Sequence, residues 1–302
     1  MRPEIAPHFS TPQLDKRSRE FISGLMDRQP ETRGTYERAL RQFLGWCQAR
    51  RGFTFSPAGV ERYKKYLAKE KHLSAVSVST YLTAVRRFCQ HLVERGIIDE
   101  NPARYVAGSK RPMTHSRTSL SQADVEKLLR SIDASTPRGV RDCAMIKTML
   151  GCGLSEIEMI RANIGDVKKK NGQYILLVQG KGHTVKDEEV AVPDDVKAAI
   201  ERYVSTRPSG LDGEPLFLSA GNKVHGKRMT TRGIRERVNY YLKRSGIKGR
   251  SSRRITPYSL RHTAALLMVE KGATPEEIQQ RMRLGSLATA MIYVNQRGGQ
   301  NT

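Results

Sequence analysis

Apolar residues recur at intervals of three and four along the first hundred positions: Tyr36, Leu40, Phe43 and Leu44, then Tyr81, Leu82, Val85, Phe88 and Leu92. That spacing puts them on one stripe of an α-helix, and no alternating run interrupts it, so residues 12–107 read as a bundle of successive helices. Ser74, Ser77 or Ser79 can cap the helix that runs to about Glu94, Gly96 closes it, and Asn101-Pro102 turns the chain. The stretch GSKRPMTHSRTS holds almost nothing apolar and is rich in Gly, Pro and hydroxyl residues. Residues 108–118 are therefore a linker, and a second domain occupies 119–302.

In that second domain Ser121 opens a helix with Asp124 and Glu126 in its first turn, and a more apolar helix covers roughly 138–151. One segment breaks the helical period. Tyr174 to Gln179 is β-rich, Gly180-Lys181-Gly182 is a turn, and Glu188 to Val192 alternates before Pro193, which predicts a small β-hairpin with Lys181 at or near its turn. Further helices are expected at about 196–206, 230–245, 259–271, 275–283 and 287–293. The fold class is mainly α with a small β-hairpin or sheet, in two domains.

Charge narrows the function. The 302 residues carry 53 Lys and Arg against 30 Asp and Glu, a formal charge of +23. Residues 1–107 contribute +8 and the remainder +15, so both domains are expected to meet a polyanion. No stretch has the roughly 18 to 20 apolar residues of a membrane span and the N-terminus lacks a secretory apolar core, so a cytoplasmic, nucleoid-associated protein with no membrane partner is expected. The four cysteines and seven histidines sit at no metal-ligand spacing, and no metal or other cofactor is expected. Gly180-Lys181-Gly182-His183-Thr184 lacks the spacing of a nucleotide phosphate loop. An aromatic content of 6% with no RNA-binding signature argues against an RNA partner.

Thr256 to Tyr293, TPYSLRHTAALLMVEKGATPEEIQQRMRLGSLATAMIY, resembles the second signature box of the tyrosine recombinases, the phage integrase family. Arg261, His262, Gly272, Ile278 and Tyr293 fall in register with it. Gly153, Leu154, Ser155, Glu158 and Asp166 occupy the places of the first box, Lys181 fits the family's hairpin lysine, and the N-terminal half resembles the helical core-binding domain. The resemblance covers about residues 12–293 and implies a two-domain, C-shaped clamp on duplex DNA. Taken alone, a tyrosine after Met291 and Ile292 is more often a packed aromatic than a nucleophile; the register of the box raises it above that.

By the resemblance, Tyr293 attacks a phosphodiester and forms a 3′-phosphotyrosyl bond, Arg261 clamps the phosphate and Lys181 protonates the departing 5′ oxygen, with His262 in the same site. A planar, permanently charged guanidinium suits a phosphate whose oxygens gain charge in the transition state. Three family positions hold other residues here: Ser155 stands for an arginine, Tyr258 for a histidine, and Leu284 for a histidine or tryptophan. Ser155 can donate one hydrogen bond to a phosphate and Tyr258 can offer a hydroxyl, whereas Leu284 can only pack. Arg161 lies well round the helix from Ser155, and Arg283 is the better-placed substitute cation. Arg250, Arg253 and Arg254, Lys64 and Lys65, and Arg86 and Arg87 are the candidate contacts to the DNA backbone. The expected function is a site-specific recombinase or integrase of a mobile element. The alternative is a recombinase-like, sequence-specific DNA-binding protein with weakened catalysis. Implied partners are double-stranded DNA with inverted half-sites, further copies of the chain, tetrameric in the family's synapse, and accessory proteins.

Overall fold

The computed structural model describes residues 11–26, 30–50, 55–109, 118–180, 183–220, 225–249 and 254–298. The chain divides into two compact units, Met1–Pro112 and Met113–Thr302.

Unit 1 is built from α1 (Thr11–Ser23), α2 (Pro30–Gln48), α3 (Pro57–Lys69) and α4 (Ala75–Glu94). Of the three candidate serines, Ser74 caps α4, accepting from the Ser77 backbone N–H, and Ser56 caps α3 ahead of Pro57. The predicted stripes meet inside: Phe43 packs edge-on against Tyr63 with ring centroids 4.9 Å apart, and Phe21 against Phe88 at 5.9 Å. Arg86 donates from Nε to the Ala103 carbonyl and from Nη2 to the Val106 carbonyl, each at 3.0 Å, while the Asn101 amide donates to the Arg86 carbonyl. This binds the Asn101-Pro102 turn to α4.

Unit 2 contains α5 (Gln122–Arg130), α6 (Pro137–Gly151), α7 (Glu156–Arg161), a three-stranded antiparallel sheet, α8 (Asp194–Val204), α9 (Thr231–Arg244), α10 (Tyr258–Glu270), α11 (Pro275–Arg281) and α12 (Leu287–Gly298). Strands run β1 (Val167–Lys170), β2 (Gln173–Val178) and β3 (Glu188–Ala191), with Val167 opposite Leu176 and Leu176 opposite Val190. The β2–β3 hairpin was expected; β1 was not, because Val-Lys-Lys-Lys shows no apolar alternation. Its turn does carry a signal: Asn171 and Gly172 have φ of 50° and 80°, the paired left-handed residues that join tight hairpins. Between β2 and β3 the Gly180 carbonyl accepts from His183 N–H at 3.2 Å; Lys181 and Gly182 lie outside the described residues.

Helix α6 is the central rod of unit 2 and packs on α8 and α10. Its Asp142 is fully buried between two arginines: Arg141 donates to Oδ1 at 2.9 and 2.6 Å, and Arg237 of α9 donates to Oδ2 at 2.8 Å. The Tyr241 hydroxyl also donates to Oδ2, at 3.1 Å. Midway along α10, the Leu120 N–H donates to Thr263 Oγ1 at 2.8 Å, and this fastens the start of α5 to the helix that carries the site.

Candidate active site

Helix α10 buries nearly its whole length. Ser259, Leu260, Arg261, His262, Thr263, Ala264 and Ala265 are all inside, so two ionisable side chains at consecutive positions are held in the interior. Such groups persist in a fold only when they are hydrogen-bonded or paired. Arg261 donates from Nη1 to Glu158 Oε2 at 2.6 Å and to the Gly153 carbonyl at 2.9 Å, and from Nη2 to the Met282 carbonyl. His262 Nδ1 lies 2.8 Å from the Tyr293 hydroxyl. With the imidazole proton on Nε2, the phenol is the donor and Nδ1 the acceptor.

Tyr293 projects from α12 into the pocket of α10 and α11, where Ala264, Ala265, Ile278 and Met282 surround it and leave it 2% exposed. Tyr258 packs edge-on against the His262 ring at 4.9 Å, and Tyr293 lies against the same ring at 5.6 Å, so the imidazole sits between two phenols. Burial pushes the Tyr293 hydroxyl pKa up, the Tyr258 phenol adds to that, and the nearby Arg261 cation opposes it. The neutral phenol is the resting form.

The other half of the site is the carboxylate of Glu158. Ser155 and Glu158 form a reciprocal cap at the start of α7, the Ser-x-x-Glu pattern of a capping box. The Ser155 backbone N–H and hydroxyl donate to Glu158 Oε2 at 2.7 and 2.8 Å. Ser155 is thus placed in the pocket, with its hydroxyl proton directed at Glu158. Arg283 completes the cluster, donating from Nε to Glu158 Oε1 at 2.6 Å and from Nη2 to Glu158 Oε2 and the Gly153 carbonyl, each at 3.2 Å. Burial pushes the Glu158 carboxyl up, but Arg261 and Arg283 outweigh it and hold its pKa below the usual range. Gly153 has φ of 60°, and a Cβ there would come within 2.7 Å of the Met282 sulfur; glycine permits this close approach of the α6–α7 turn to the segment after α11.

The structure therefore gathers Arg261, His262, Tyr258, Tyr293 and Ser155 about one region. Lys181, Arg250 and Arg253 lie outside the described residues. Among the backbone-contact candidates, Lys65, Arg87 and Arg254 are exposed, Lys64 pairs with Glu61 at 3.2 Å, and Arg86 is committed to carbonyl groups inside unit 1. A basic cleft escaped the sequence reading: Arg138, Arg141, Lys227, Arg228, Arg232 and Arg237 line a cavity of about 480 Å³ at the start of α9. Its basic residues come from the start of α6 and from residues 227–237, far apart in sequence, so no local run announces it. No group of three or more His, Cys, Asp or Glu side chains could hold a metal ion among the described residues, and none of the described helices is long and apolar enough to cross a membrane.

Comparison with known proteins places the chain in a family. Residues 118–298 match the model of the phage integrase family, and residues 16–99 match that of the phage integrase N-terminal SAM-like domain. The chain is 30% identical over 280 residues to tyrosine recombinase XerD of Pseudomonas aeruginosa, covering 90% of this chain and 88% of the relative. To tyrosine recombinase XerC of Leptospira interrogans it is 27% identical over 296 residues, covering 96% and 91%. Among solved structures, the XerH site-specific recombinase bound to a palindromic difH substrate shares the fold with a TM-score of 0.70 at 20% identity, over 97% of this chain and 84% of that one. A lambda integrase dimer bound to a COC′ core site gives 0.71 at 14% identity, over 94% and 78%. With the phage integrase family model spanning more than half of its length, the chain belongs to the phage integrase family, the tyrosine recombinases.

Proposed function

We propose that this protein is a site-specific DNA strand transferase in which Tyr293 Oη attacks a phosphodiester, the bond from phosphorus to the 5′ oxygen breaks, and a 3′-phosphotyrosyl bond holds the cut end. The observation that carries the reading is the 2.8 Å contact of the Tyr293 hydroxyl with His262 Nδ1, next in sequence to the buried cation Arg261. His262 receives the phenolic proton as the P–O bond forms. Arg261 meets charge growing on the non-bridging oxygens. Among the described residues three of its five N–H donors are committed to Glu158, Gly153 and Met282, which fixes the guanidinium while leaving two for an incoming anion. Lys181 supplies the proton to the 5′ oxygen. Rejoining reverses the step: a 5′ hydroxyl attacks the phosphotyrosine, so the bond energy is retained and no nucleotide is consumed.

The substrate in this reading is duplex DNA with inverted half-sites, bound by several copies of the chain with or without accessory proteins, in the cytoplasm. The +23 charge, the exposed Lys65, Arg87 and Arg254, and the basic cleft at α9 support phosphate-backbone binding. A second reading, specific binding with weakened catalysis, is favoured by one observation: the Ser155 hydroxyl is spent on Glu158. Incubation with a nicked suicide duplex separates the two. A covalent protein–DNA adduct that survives denaturation and vanishes in Tyr293→Phe supports the transferase; specific binding with no adduct supports the alternative.

A further inference from the structure

Arg283 occupies a backbone position made for glycine. Helix α11 ends in a Schellman turn: the Arg283 N–H donates to the Gln280 carbonyl at 3.0 Å and the Leu284 N–H to the Gln279 carbonyl at 2.9 Å, with Arg283 itself at φ of 51°. That left-handed position strongly favours glycine, because any Cβ crowds the following carbonyl. Here it carries a long cationic side chain, and that side chain turns inward until it is 4% exposed. A surface arginine at this turn would bring only the strain.

Its destination is equally specific. Arg283 shares both Glu158 Oε2 and the Gly153 carbonyl with Arg261, so the two guanidinium groups converge on the same two acceptors. Two cations then face one carboxylate, and the pocket keeps a surplus positive charge away from water. Arg283 commits four of its five N–H donors among the described residues, to Glu158, Gly153 and Arg281. One remains, beside the two of Arg261. A buried positive surplus with donors in hand is complementary to a phosphodiester, and more so to the doubly charged arrangement reached during attack.

We propose that Arg283 is the second phosphate-contacting guanidinium of the site, delivered from the turn after α11 in place of the cation that Ser155 does not provide. The inference rests on Tyr293 being the nucleophile. Its test is single-turnover adduct formation on the nicked duplex by the full chain, with affinity measured in parallel. Arg283→Gly relieves the backbone position but takes one of two buried cations from Glu158, so the protein is expected to stay folded with a lower melting temperature, form adduct about a hundredfold more slowly per folded molecule, and bind DNA with an affinity within about threefold of wild type. Adding Ser155→Arg to Arg283→Gly should recover at least tenfold of the rate. A wild-type rate in Arg283→Gly overturns the proposal, as does a slower rate in a folded protein that Ser155→Arg does not recover. Should Arg283→Gly fail to fold, Arg283→Lys carries the test: it keeps the charge and loses the fork, so a rate about tenfold lower at equal affinity supports the proposal and an unchanged rate overturns it. Failure of the underlying reading looks different, because wild type itself then gives no adduct, and the proposal falls with it.

Discussion

Among the described residues of unit 2, two of the buried carboxylates, Asp142 and Glu158, each lie between two arginines and have different phenols nearby. Asp142 holds Arg141 and Arg237 and accepts directly from the Tyr241 hydroxyl. Burial and the adjacent Asp142 charge both push the Tyr241 pKa up, so that proton is tied down. Glu158 holds Arg261 and Arg283, but the nearby phenol, Tyr293, is turned to His262, and the neighbouring cation opposes the rise in its pKa. A phenol bound to a carboxylate is a brace. Beside a base and a cation it fits the nucleophile proposed above.

The sharpest way to break this contrast is to remove each hydroxyl in turn. Tyr293→Phe should abolish the covalent adduct on a denaturing gel. Tyr241→Phe should leave adduct formation intact and lower stability by about 1 kcal/mol, the worth of one hydrogen bond. Next in size is salt. Exposed cations and the basic cleft at α9 rather than the Glu158 cluster should set DNA affinity, so the logarithm of the binding constant should fall linearly with the logarithm of salt, losing about 10³ or more between 50 and 200 mM. An affinity that barely changes would remove phosphate contacts as the main source of binding.

Smaller effects follow from the carboxylates themselves. Glu158→Gln and Asp142→Asn each leave two buried cations short of a counter-charge, and urea titration should show losses of about 3 to 5 kcal/mol for either. Only Glu158→Gln should also slow adduct formation per folded molecule, since it frees the two guanidinium groups. Slowing of equal size in Asp142→Asn would erase the distinction between the clusters. Acid is the mildest probe. The Glu158 pKa is depressed in the folded state, so its stabilisation is fully present above the unfolded value near 4.5 and is lost as pH falls through the folded value. The urea midpoint of wild type should therefore drop more steeply below pH 4.5 than that of Glu158→Gln.

Much of this was legible in the sequence. The helices follow from apolar stripes, and Arg261, His262 and Tyr293 were assigned to one site by their register. Strand β1 was hidden because three lysines mask its period, although Asn171-Gly172 marks its turn. The Ser155–Glu158 pattern announces a cap as clearly as it suggests a vacant arginine place, and only the folded arrangement shows the hydroxyl directed at Glu158. Arg86 looked like a surface cation because helical spacing does not show that carbonyl groups of residues 103 and 106 lie within its reach. The inward turn of Arg283 depends on one left-handed backbone residue, and no periodicity encodes it.

The most direct test of the central claim is mass spectrometry of the protein–DNA adduct after exhaustive nuclease and protease digestion. The phosphonucleotide should sit on the peptide that contains Tyr293, through its phenolic oxygen. Attachment at Tyr258 instead, or adduct that persists undiminished in Tyr293→Phe, would contradict the account.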